Sequence, residues 1–207
     1  MRKYAYLTIF TKNMKGEYEY LIGRKKFMNY QDGYIGTNPL QYVIPGGNIM
    51  ENESLYKCAI REFEEETGFN LFDLGCDNVK EIYSNKYAKF FLAEIPYSNK
   101  DNFIYNKEDI LENGHYTEFL KFKWVNKNTA IKYFKRKPKI SFLIETFLEN
   151  KDKFITKYKP SYLSPKLYDQ LINNKIDDSK IFLKKYLSNR LNNEWFINMF
   201  NNISYTC

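Results

Sequence analysis

Between Arg61 and Thr67 the chain reads REFEEET. Four carboxylates, Glu62, Glu64, Glu65 and Glu66, fall within five positions of a protein whose formal net charge is +7. On a helix, residues three and four apart are neighbours, so Glu62, Glu65 and Glu66 share one face and Glu64 turns away. Like charges at that spacing cost a helix about 0.2–0.5 kcal/mol per pair. They also raise one another's pKa unless a cation stands among them. A divalent cation relieves both effects. Mg2+ takes hard oxygen ligands and keeps several waters, and so bridges carboxylates to phosphate oxygens. The competing reading is a solvated surface helix whose glutamates pair with Lys57 and Arg61.

The elements that would position this cluster are legible on either side of it. Lys3–Lys12 and Glu17–Lys26 alternate and are rich in β-branched and aromatic residues, which predicts two strands joined at Lys15-Gly16. Phe27–Leu40 reads as a loop, and QYVIPGG as a short strand stopped by Pro45-Gly46-Gly47. Ser54–Thr67 predicts the helix, capped by Ser54 or Asn52 and closed at Gly68. Its opposite stripe, Leu55, Ala59 and Phe63, is apolar. NVKEIYS, KYAKFFLAEI and EFLKFKWVN follow as strands. NTAIKYFKR and SFLIETFLENKDKF read as helices, and three short amphipathic helices complete the chain, the second capped by Asp178 or Ser179. Strands, a central helix and more strands imply a mixed sheet with helices packed on it, an α+β or α/β sandwich.

Bulk properties narrow the function classes. With His115 the only histidine and Cys58, Cys76 and Cys207 scattered, a zinc site is not expected. No apolar run is long enough to span a membrane, and MRKYAYLTIFTKN reads as a strand and not a signal peptide, so a reducing cytoplasmic location is expected. Lys, Asn, Ile, Tyr and Phe all have A/T-rich codons, so their abundance says little about partners. The placement of charge says more. Phe119–Arg190 holds 18 Lys and Arg against 6 Asp and Glu, while the remainder holds 14 against 19. An acidic front and a basic rear suggest a polyanionic partner; the alternative is a lysine-rich solvated surface.

Counting from Gly47 gives five residues, Glu53, seven residues, then Arg61-Glu62-Phe63-Glu64-Glu65-Glu66-Thr67-Gly68-Phe69. This resembles the complete Nudix box, G-x5-E-x7-R-E-U-x-E-E-x-G-U with U apolar. The resemblance implies the α/β Nudix fold, a mixed β-sheet sandwiched between helices (α/β/α), in a hydrolase domain over 1–155, with 156–207 as a basic C-terminal helical extension. It implies Mg2+ or Mn2+ as cofactor, with Glu62 and Glu66 as metal ligands and Glu65 as a ligand or the group that polarises water. The carbonyl of Gly46 would add a ligand, and Arg61 and Glu53 would orient the loop against the helix. The implied reaction is hydrolysis of a phosphoanhydride in a nucleoside diphosphate linked to another group.

The box leaves the substrate open. CAIREFEEETG resembles the box of Nudix mRNA-decapping enzymes from large DNA viruses, the African swine fever virus type, which would place the protein in a host cytoplasm. EFLKFKWVN is similar to the family's pattern of a Glu followed six residues later by Trp, making Glu118 a candidate ligand or general base. Such an enzyme, releasing methylated GDP, would stack the cap on aromatics, for which Tyr30, Tyr34 and Tyr42 are candidates. Its basic rear half would track the RNA backbone. One departure stands out: Gly46 occupies a position where many decapping enzymes carry Lys, as in Nudix enzymes of small nucleotides. A small substrate is therefore the alternative: a nucleotide sugar, dinucleoside polyphosphate, damaged nucleotide or diphosphoinositol polyphosphate. A non-catalytic Nudix-fold binding protein is a third reading. The apolar stripe of NEWFINMFNNI also suits a homodimer contact.

Overall fold

In the computed structural model of the protein, residues 3–27, 35–76, 78–103, 118–157 and 165–203 are described. Tyr30, Tyr34, His115 and Cys207 lie outside them. Two compact units form. The first comprises Met1–Arg24, Tyr42–Lys135 and Asn193–Cys207, and the second Lys25–Gln41 and Arg136–Asn192. These units are drawn from packing and are composed differently from the expected division after residue 155.

The first unit is built on a seven-stranded mixed sheet. Strands β1 (Tyr4–Lys12), β2 (Tyr18–Lys25), β3 (Tyr42–Val43), β4 (Gly46–Asn48), β5 (Val79–Ser84), β6 (Ala88–Glu94) and β7 (Phe119–Val125) contribute. The order is β3-β2-β1-β6-β5, with β4 also pairing β1 and β7 pairing β2. β1 runs parallel to β6 and antiparallel to β2 and β4. Side chains alternate along β1, and the two faces receive different helices. Ala5, Leu7 and Ile9 pack with Cys58, Ala59 and Phe63 of helix α1 (Leu55–Thr67). Tyr4, Tyr6 and Phe10 face the other way, onto a layer containing Ala130 and Phe134 of α2 (Lys127–Lys135) and Phe196, Met199 and Phe200 of α7 (Glu194–Asn202). Helices thus cover both faces of the sheet, as the alternating pattern requires.

The second unit is helical: α3 (Ile140–Glu149), α4 (Lys151–Lys157), α5 (Pro165–Ile172) and α6 (Ile176–Ser188). Leu143 and Phe147 of α3, Leu167 and Leu171 of α5, and Leu183 and Leu187 of α6 close a core with Phe27 and Ile35. Arg190 fastens the earlier segment to it, donating to the Ile35 carbonyl at 3.0 Å. By sequence, this unit holds 15 Lys and Arg against 7 Asp and Glu, and the rest of the chain 17 against 18. The positive charge of the protein is therefore concentrated in the helical unit.

Three local expectations change. Gly46 and Gly47 do not stop a strand; they open β4, whose backbone pairs with β1. The long helix expected from Ser141 ends at Glu149, and Asn150 separates α3 from α4. Helix α6 starts at Ile176, which puts Asp177 and Asp178 in its first turn instead of at the cap. Among the described residues no helix is long and apolar enough to cross a membrane.

Candidate active site

The register of β4 against β1 decides what the site looks like. Leu7 donates to the Pro45 carbonyl at 3.0 Å, and Ile49 donates to the Lys3 carbonyl at 3.2 Å. Those bonds make Tyr6–Gly46 and Tyr4–Asn48 the non-hydrogen-bonded pairs, in which backbone polar groups turn away from the partner strand. The outward groups are taken up by the box helix. The Gly46 N–H donates to Glu66 Oε2 at 2.8 Å, and Arg61 Nη2 donates to the Asn48 carbonyl at 3.1 Å. Between them, Gly47 lies so close to Glu62 that an added Cβ would overlap its carboxylate. Gly46 has φ 152°, where a side chain would also run into Ala5 and Tyr6.

Helix α1 begins as expected, with Ser54 accepting from the Lys57 N–H at 3.2 Å, and closes at Gly68, whose N–H reaches the Glu64 carbonyl at 2.8 Å. Arg61 is the hub of its polar face. Nε and Nη2 bind the two oxygens of Glu53 at 2.8 and 3.0 Å, a bidentate fork. Nη1 reaches Glu62 at 2.9 Å and Glu65 at 3.0 Å. Glu53 also accepts from the Met50 N–H at 3.0 Å. The pair therefore ties the loop before the helix to the helix itself.

The carboxylates differ in their access to water. Glu66 is 6% exposed and the Glu62 side chain 17%, whereas that of Glu65 is 57% exposed. Burial raises the pKa of Glu62 above its ordinary value; Arg61 opposes this, and the charges of Glu65 and Glu118 add to it. Glu118, at the start of β7, thus joins the cluster electrostatically. Glu64 is turned away and accepts from the Asn70 side chain at 2.9 Å. Tyr42 packs at a tilt against Tyr133, ring centroids 4.5 Å apart, in the layer opposite α1. Among the described residues, no three His, Cys, Asp or Glu side chains already converge to hold an ion. Arg61 stands between Glu62 and Glu65, and Glu66 is turned to Gly46. The donors are nonetheless hard oxygens, and they outnumber the guanidinium among them, a set that suits Mg2+ or Mn2+.

The box spacing thus brings Glu53, Glu62 and Glu65 onto one guanidinium. The NUDIX domain family model matches residues 3–145. The chain belongs to the Nudix family. It is a phosphoanhydride hydrolase of that family by its domain and its complete box. The fold is similar to that of a C. elegans Ap4A hydrolase, at 21% identity over 71% of this chain and 96% of that one, TM-score 0.41. It is also similar to a mutT/nudix family protein from Listeria innocua, at 17% identity over 75% and 96%, TM-score 0.43. A third is T. brucei MERS1 in an RNA complex, at 19% identity over 65% and 54%, TM-score 0.41. No curated protein matches the chain.

Sequence reasoning passed over one member of the Nudix site, Cys58. Its thiol lies 3.8 Å from the Gly47 carbonyl and 3.7 Å from Arg61 Nη2, beneath the loop. Its i, i+3 spacing to Arg61 was the available signal. Burial, reinforced by Glu53 and Glu62, pushes the thiol up to about 12. Iodoacetamide at about pH 8 is therefore expected to alkylate Cys76 and to leave Cys58 unmodified until urea unfolds the chain. Peptide mass mapping reads this, and early Cys58 labelling would contradict it.

Glu53 supplies an acid-side prediction. The Arg61 hydrogen bonds hold its carboxyl down to about 2, against an ordinary 4.5. Such a group contributes stability that is fully present above the ordinary value and lost as pH falls through the folded one. The difference in urea midpoint between wild type and Glu53→Gln should be constant above about pH 5 and close as the pH falls further. A gap that persists unchanged in acid would show that the pair contributes little.

Proposed function

We propose that this Nudix hydrolase cuts the 5′ cap of RNA and releases methylated GDP, using Mg2+ or Mn2+. Glu62, Glu65, Glu66 and the Gly46 carbonyl would hold the cation, with Glu118 as a further ligand or as general base. When bound, the cation would neutralise charge on the phosphate oxygens and lower the pKa of water. The observation that carries the hydrolytic reading is the Arg61 hub, which holds Glu53, Glu62 and Glu65 together with the Asn48 carbonyl. Arg61 and Glu53 keep the β4 loop against α1, Glu66 fixes Gly46, and Glu65 meets water. The concentration of Lys and Arg in the helical unit supports an RNA backbone as the remainder of the substrate. Helices α5 and α6 would serve that contact, whereas α7 belongs to the sheet unit.

A small nucleotide is the second reading, and Gly46 favours it, because it occupies the position at which many decapping enzymes carry Lys. Turnover of cap-labelled RNA, free cap analogue and a nucleotide panel, with Mg2+ and with Mn2+, separates the two. Release of methylated GDP from long RNA, with poor cleavage of free cap analogue and affinity falling steeply with salt, supports decapping. Rapid cleavage of a small nucleotide beside inert capped RNA would overturn it. Binding without any turnover would leave a non-catalytic protein.

A further inference from the structure

Gly23 lies in β2 opposite Val43, and its φ is not positive, so backbone conformation does not call for glycine there. Space does. An added Cβ would overlap the ring of Phe119 and come within 2.7 Å of Phe122. Both rings belong to β7, which pairs with β2. Phe119 is buried, and its ring centre lies 4.8 Å from that of Phe122. From Phe122 the contacts run to Phe103 at 6.2 Å, and from Phe103 to Phe63 at 6.4 Å. Phe63 follows Glu62 on α1, and Glu118 precedes Phe119 at the head of β7. The row of rings thus runs between the chain neighbours of two carboxylates.

We propose that Gly23 is a positioning residue of the hydrolase: having no side chain, it lets Phe119 and Phe122 seat on β2 and so sets Glu118 at the carboxylate face of α1 as a further ligand of the cation. The proposal rests on the hydrolytic reading, with Glu118 in the site. A close-packed interior does not absorb an extra methyl without moving side chains or backbone. Here the rings have little room to retreat. Phe119 is packed in the layer that holds Tyr20, Ala130 and Phe134, and Phe122 already meets Phe103. The far end of β7 is anchored as well, since the Trp124 indole N–H donates to the Lys100 carbonyl at 3.1 Å. A shift forced at Gly23 therefore falls on the near end of the strand, where Glu118 stands. The charge of Glu118 is felt at Glu62, so such a shift reaches the cluster. Misplacing a group of a reaction centre by about 1 Å costs up to about 10^2-fold in rate.

The full chain is compared with Gly23→Ala, Glu118→Gln and the two combined. Mn2+ affinity is read from the EPR signal of the free ion, and turnover is followed beside it. Gly23→Ala should weaken Mn2+ binding about tenfold and lower kcat by a similar factor, with KM little changed. Glu118→Gln should do at least as much, and adding Gly23→Ala to it should cost nothing further, as for two changes that act through one group. Phe119→Leu gives up about the volume that the methyl adds, so Gly23→Ala with Phe119→Leu should regain most of both losses. Should Gly23→Ala alone not fold, Phe119→Leu carries the test from the other side: it leaves a gap over Gly23, should weaken Mn2+ binding, and should be restored by Gly23→Ala. Mn2+ affinity within about twofold of wild type in the single variant that folds, losses that multiply in the Glu118→Gln background, or no recovery in the compensated pair overturns the proposal and leaves hydrolysis standing. A wild-type chain that binds Mn2+ and cuts no phosphoanhydride overturns the hydrolytic reading, and the Mn2+ comparison still decides on Gly23.

Discussion

Glu66→Gln is expected to lower kcat on the order of 10^3-fold while changing the melting temperature little. The carboxylate is buried, and one oxygen takes the Gly46 N–H. Glutamine preserves the shape and can still accept that bond, so the fold has no reason to loosen. It removes the negative charge from a place that, in the proposed mechanism, holds a cation against a polyphosphate. Loss of like-charge repulsion along α1 works in the direction of greater stability. Glu64→Gln is the matched control, because Glu64 spends its oxygen on Asn70 and the Leu71 N–H at the helix end. Steady-state turnover, thermal melts and Mn2+ titration of both variants provide the comparison. Turnover of Glu66→Gln within tenfold of wild type would remove Glu66 from the metal site.

Arg61→Lys should damage both the fold and the chemistry. The guanidinium spreads its donors over Glu53, Glu62, Glu65 and the Asn48 carbonyl, in directions that its planar fork makes compatible. Lysine offers one compact charge at the end of a flexible stem. It can satisfy part of this set, which leaves largely buried carboxylate oxygens short of partners. A loss of about 3 kcal/mol in unfolding free energy is expected, at the low end for a broken buried pair because Arg61 keeps some solvent contact. Turnover should fall as well, since the β4 loop and α1 lose their common tie. Denaturant titration of Arg61→Lys, Glu53→Gln and the double variant measures the coupling, which should exceed about 1 kcal/mol. Additive losses would mean that the pair is not a unit.

The helix and its carboxylate face were legible because an i, i+3, i+4 pattern needs no tertiary information. So were the Ser54 cap, the Gly68 closure and the Glu53–Arg61 partnership, which follow from local chemistry and box spacing. β4 was not. Glycine is a poor strand former, and Gly46-Gly47 reads as a terminator until β1 supplies a partner ladder. The break at Asn150 was hidden for a related reason: apolar spacing continues across it, and nothing in SFLIETFLENKDKF except Asn marks the interruption. The parallel placing of Tyr87 beside Trp195 lies beyond sequence reading, since 108 residues separate two rings that only the sheet brings together. Tyr42, near the box in sequence, instead packs against Tyr133 on the other face.

The composition of the first unit has a consequence for how the chain reaches its native state. Its sheet is assembled from residues before 136, yet Phe196, Met199 and Phe200 fill one of its two faces. During synthesis, β1, β2 and β6 exist long before that cover does, so an aromatic surface of Tyr20, Phe90 and Phe134 waits for it. Contacts of such long sequence separation slow folding and lengthen the time for which sticky surface is open to other chains. A chaperone that shields aromatic surface should therefore raise the yield of full-length protein, and a chain stopped at Asn192 should aggregate although its whole Nudix box has been made.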